Sequence, residues 1–130
     1  MLWILPVLVC APIFAHHGTN VSYQGDKSVT LSGTVTEWVF AYPHPQVYFD
    51  VKDEKGAVVH WAAEIAPTPL MMKALKVGWS KESIKPGDQL TITFHPSKVA
   101  GSAAGLAMEL VVNGKKLPLA NTQIAPPAAQ

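Results

Sequence analysis

The chain has 130 residues, with ten Lys and Arg against nine Asp and Glu and no basic run, so it carries no electrostatic footprint for nucleic acid. Its single cysteine, Cys10, falls inside the apolar amino-terminal run, so removal of that run leaves no thiol for a disulfide or a thiolate metal site. Eleven prolines and nine glycines spread along the chain point to short strands joined by turns.

The run Leu2–Phe14 followed by the small residue Ala15 reads as a signal peptide, residues 1–15, cut after Ala15. A membrane anchor is the alternative. It is disfavoured because spanning takes about 20 apolar residues and His16-His17-Gly18 ends this run early. Val9 before Cys10 argues against a lipid anchor on that cysteine. The n-region carries only the terminal amine, which leaves an upstream start open. The expected location is periplasmic or secreted, with no membrane contact after cleavage. About 115 residues then remain, enough for one domain and too few for two. That domain is expected over 16–119.

The elements follow in chain order. Val29, Leu31, Gly33 and Val35 alternate with Thr30, Ser32, Thr34 and Thr36, the period of a half-buried strand with its hydroxyls outward. Gly33 within it suggests a bend or bulge. The loop Ala41-Tyr42-Pro43-His44-Pro45 comes next. A second strand is expected over Gln46–Val51, with Val47, Phe49 and Val51 on one face. Asp53-Glu54-Lys55-Gly56 turns the chain into a third strand, Val58–Ile65. There Val59, Trp61, Ala63 and Ile65 point in, and His60, Ala62 and Glu64 point out.

Thr68 is placed to cap a short helix over Leu70–Val77, with Pro69 at its first position. Lys85-Pro86-Gly87-Asp88 is a tight turn before a fourth strand, in which Leu90, Ile92 and Phe94 alternate with Thr91, Thr93 and His95. Leu106–Val112 is a fifth, with Leu106, Met108 and Leu110 reading as core. Asn113-Gly114 turns back to a short Leu117–Leu119 segment. Residues 120–130 read as a disordered Pro/Ala-rich tail. Three strands, a helix and two strands is the order of a five-stranded OB-like barrel, all-β with one short helix; a small open β-sandwich is the alternative.

Five histidines carry the candidate chemistry: His16, His17, His44, His60 and His95. Cleavage after Ala15 would put a free α-amine and an imidazole on His16. Amine and Nδ1 then close a chelate on one ion, and a further imidazole opposite completes a histidine brace. Nitrogen ligands in a tetragonal layout favour Cu(II). His17 offers a rival mode through the amine, its own amide nitrogen and its imidazole. Two histidines after a leader are otherwise simply a polar start to the mature chain.

For the third ligand, His44 leads because Pro43 and Pro45 restrict the backbone on either side of it. The bland alternative is a rigid connector. His60 is second and His95 third; both sit on outward strand faces, where a solvated histidine is ordinary. The metal set is therefore His16, His17, His44 and His60, with copper as cofactor. No catalytic triad or phosphate loop is present, and Glu64, two outward positions along from His60, makes the one His/carboxylate pair. Trp38, Trp61 and Trp79 read as core and rim packing rather than a sugar-binding platform.

Several short motifs together resemble a family of small exported bacterial proteins of unknown function. They are Ala15-His16-His17, Val29-Thr30-Leu31-Ser32-Gly33-Thr34-Val35, Pro43-His44, His60-Trp61, Gly78-Trp79 and Lys85-Pro86-Gly87-Asp88. Tyr42 stands where that family's pattern leads one to expect Asn. The resemblance implies export, one β-rich domain and histidines at these places, and it brings no established activity. Three functions are thus open. The first is copper storage, delivery or sensing through an amino-terminal brace. The second is a metal-free binding module for a periplasmic protein or glycan. The third is a small copper oxidase or oxygenase.

Overall fold

The computed structural model describes residues 22–69, 73, 76 and 78–119. Among these residues six strands follow one another: β1 Val29–Val39, β2 Gln46–Lys52, β3 Val58–Glu64, β4 Gln89–Pro96, β5 Ala104–Val112 and β6 Lys115–Leu117. The hydrogen-bonded order is β3-β2-β1-β4-β5-β6, and a parallel β3–β5 pairing closes the first five into a barrel. That is the OB connectivity expected from the element order, and the closure removes the open sandwich. β6 is an added strand hairpinned onto β5. The expected leader, residues 1–15, most of the Leu70–Val77 helix and the tail over 120–130 lie outside the described residues.

The long first strand makes closure possible. Its first half pairs with β4 and its second half with β2, the two sets meeting at Thr34. A strand shared in this way must turn sharply, and Gly33 sits at the turn. A Cβ there would collide with the Asp50 carbonyl of β2. The bulge itself lies three residues on: Val35 opposes Phe49 but Glu37 opposes Tyr48, so Thr36 is the extra residue. It shifts the inward set from Val35 to Trp38 and Phe40, which pack against the core.

The core fills the barrel with Val35, Val47, Phe49, Ala63, Ile65, Leu90, Ile92, Phe94, Ala107, Leu110 and Val112. Burying each of the larger side chains is worth about 1.5–3 kcal/mol. Two core assignments made from alternation are corrected. Met108 is the extra residue of a second bulge, since Thr93 opposes Glu109 and Phe94 opposes Ala107. Ala107 therefore takes the inward place and Met108 is only half-buried. Val59 is 36% exposed rather than inward. β5 reaches β3 only at Ala62–Glu64, so the first half of β3 has a neighbour on one side alone.

The Lys85–Asp88 turn joins three strands at one end. The Lys85 amide donates to Asp88 Oδ2 (2.8 Å), and the Asn113 side chain donates to Asp88 Oδ1 (2.9 Å). The Val35 amide donates to the Asp88 carbonyl, and the Gly87 amide returns to the Val35 carbonyl. Asn113 and Gly114, at φ 49° and 78°, form the expected tight turn. β6 then starts at Lys115, two residues earlier than the alternation suggested, and Leu119 is buried just beyond it.

Candidate functional site

His44 ends the loop between β1 and β2. Pro45 behind it is fully buried, and its carbonyl accepts the Ile65 amide at 2.9 Å, so the loop is fixed to the end of β3. The Tyr42–Pro43 peptide is cis. The His44 side chain is about one-third exposed, and its Nε2 faces Glu64 Oε1 at 3.8 Å. That is ion-pair range and too long for a direct hydrogen bond. His44 Nδ1 is buried and has no hydrogen-bond partner among the described residues.

Glu64 is the last residue of β3, flanked by Gln46 on β2 and Leu106 on β5. Its other oxygen, Oε2, accepts the Tyr23 hydroxyl at 2.6 Å. Tyr23 belongs to the segment before β1, which lies along the end of β4. Tyr23 bridges Ser97, the Gln24 amide donates to the Pro96 carbonyl, and the Lys98 amide donates to the Ser22 carbonyl. Burial, then the hydrogen bond from Tyr23 to Glu64 and the carboxylate's charge, raise the Tyr23 phenol well above its ordinary range. The cluster thus joins the His44 loop, the end of β3 and the segment leading back to the amino terminus.

The other histidines lie elsewhere. His60 is opposite Asp50 on β2, its Nδ1 2.5 Å from Asp50 Oδ1, and the side chain is 82% exposed. Four residues of extended strand, about 13 Å, separate it from Glu64, so the two do not form a pair. The carboxylate facing His60 is Asp50, and the histidine facing Glu64 is His44. His95 Nδ1 lies 2.5 Å from the Lys27 carbonyl. His16 and His17 lie outside the described residues. Among the described residues, no group of three or more His, Cys, Asp or Glu is placed to hold a metal ion.

The pinned prolines mark His44 in the sequence. Tyr23 carries no such signal, because its contact with Glu64 spans 41 positions along the chain. Trp38, Trp61 and Trp79 pack as core and rim. Trp38 lies against Phe40 (5.8 Å between ring centroids) and Trp79 (5.5 Å), and Trp61 against Phe94 (5.2 Å).

Fold and cluster together define a small OB-type barrel with a histidine–carboxylate–tyrosine group at the end where the amino-terminal segment joins it. The chain belongs to a family of unknown function (DUF6152), whose model matches residues 6–107. No curated protein and no solved structure matches it.

Proposed function

We propose that this is an exported copper-binding domain. Its site is a brace formed by the amine and imidazole of His16, completed by His44, and it serves copper storage, delivery or sensing. The observation that carries this reading is the unpartnered, buried Nδ1 of His44. A buried polar atom left without a partner costs about 1–3 kcal/mol, so it asks for one. The Glu64 carboxylate beside Nε2 favours the tautomer with its proton on Nε2, leaving the Nδ1 lone pair free to bind a metal. A carboxylate behind a ligating histidine is a common arrangement in metal sites.

Placement supports the same reading. Tyr23 is held against Glu64, and Glu64 faces His44. From Ser22, six residues back to His16 reach at most about 20 Å when extended. With His60 occupied by Asp50 on another part of the barrel, His44 is the preferred third ligand. His17 remains the rival donor at the amino terminus. Bound copper would supply a Lewis-acidic and redox-active centre. The chain's own residues would hold it: His16 and His44 as donors, with the Glu64 carboxylate behind the His44 ring.

Intact mass of the exported protein is expected to show loss of residues 1–15. Retention of the run, or a cut elsewhere, overturns the brace. Cu(II) affinity is expected to drop when one extra residue precedes His16, and His44→Ala is expected to change the copper EPR spectrum. Unchanged affinity or an unchanged spectrum reassigns those ligands.

A further inference from the structure

An aromatic groove runs from the end of the described chain to the His44 loop. Leu119 is buried, and the Pro118 carbonyl accepts the Trp79 indole N–H at 2.7 Å. Two shallow depressions meet there and share Gly78 and Trp79. One passes over Leu117 and Pro118. The other, of about 650 Å³, is lined by Phe40, Tyr42, Pro69 and Trp79, with Lys73 and Lys76 beside them. The aromatic floor is fixed: Trp38 packs on both Phe40 and Trp79, and its indole N–H donates to the Ser80 carbonyl at 3.0 Å. Tyr42 on the rim is 65% exposed.

The chain continues from this point as Ala120-Asn121-Thr122-Gln123-Ile124-Ala125-Pro126-Pro127, with no charged residue. Adjacent prolines favour the polyproline II conformation, and grooves lined by aromatic side chains bind such segments at low entropic cost. Four residues between Leu119 and Ile124 span up to about 15 Å, enough to carry Ile124 past Trp79 toward Tyr42. We propose that the groove formed by Phe40, Tyr42 and Trp79 seats the chain's own Ile124–Pro127 segment. The tether supplies a millimolar effective concentration, so a weak apolar contact suffices. Tyr42 belongs to the same loop as His44, so the seated segment braces the loop that presents the candidate ligand.

Backbone NMR of the full chain, compared with a chain ending at Leu119, tests this. Truncation is expected to shift the amides of Phe40 and Tyr42 and the Trp79 indole signal. Adding a synthetic peptide of residues 120–130 at millimolar concentration should restore them. Ile124→Asp in the full-length chain should reproduce the truncated spectrum without removing any residue. Shifts confined to Leu117–Leu119 overturn the proposal. So do shifts that vanish on dilution of the full chain, which assign the groove to the tail of a second copy.

Discussion

Glu64 is the residue that joins the His44 loop to the amino-terminal segment. Its two oxygens serve different partners, one facing His44 Nε2 and one accepting the Tyr23 hydroxyl. Glu64→Gln removes the carboxylate charge that faces His44 Nε2 at 3.8 Å. Cu(II) affinity is expected to fall about ten- to a hundred-fold, the usual effect of losing an outer partner of a metal ligand, with His44 still required. Calorimetric titration of the two proteins checks this. Tyr23 gives a prediction independent of metal. Its phenol is raised in the folded state, by burial first and by Glu64 second, while in the unfolded chain it ionises near its ordinary value of 10.0. The contact's stabilisation is complete below that pH and is lost as pH rises toward the folded-state value. Wild type should therefore lose thermal stability between about pH 9 and 11 more steeply than Tyr23→Phe, by midpoints measured side by side. Parallel curves would mean that the phenol is not raised on folding.

At the scale of elements, alternation located the five barrel strands but not their defects. The hydroxyl ladder of β1 is where it was expected, with Thr30 bonded to Thr93 and Ser32 to Thr91 on the exposed face. The two bulges, at Thr36 and Met108, were not legible. A bulge residue looks like any other, and only the partner strand reveals that it has no opposite number. Gly33 drew attention to the right strand, but its reason is close approach to the Asp50 carbonyl. Gly33→Ala is expected to cost about 1–3 kcal/mol or prevent folding, read by urea denaturation. The Lys85–Asp88 turn makes a second prediction. The Asp88 carboxyl is lowered from its ordinary value by the Asn113 side chain first and the Lys85 amide second. Its contribution is present above the ordinary pKa and is lost as pH falls through the lower folded value. Asn113→Ala should flatten that acid limb, seen as a smaller drop in thermal midpoint on going to low pH.

For the whole molecule, the cluster sits at the end where the barrel closes. Ala62–Glu64 pairs in parallel with Ala104–Leu106, a short seam at the end of the barrel that also carries Glu64. Separately, Ser22–Gln24 lies along the end of β4, and the His44 loop is bonded to Ile65. Copper bound at the proposed site is expected to stabilise the whole fold through that end. A ligand at a hundred times its Kd adds about 2.7 kcal/mol. The thermal midpoint of the chain starting at His16 should rise with Cu(II), and the rise should shrink sharply in His44→Ala. An equal rise in both proteins would place the metal elsewhere.

The class of fold and most of the parts list are written in local sequence. Alternating runs set the strands, Lys-Pro-Gly-Asp and Asn-Gly set two turns, and flanking prolines singled out His44. These are local properties, written in a few consecutive residues. The partners come from the folded barrel. Sequence spacing put Glu64 with His60, whereas barrel register gives His60 to Asp50 and turns Glu64 toward His44 and Tyr23. Which side chains meet across a closed barrel depends on bulges, shear and the path of distant segments, and none of these leaves a periodic trace along the chain.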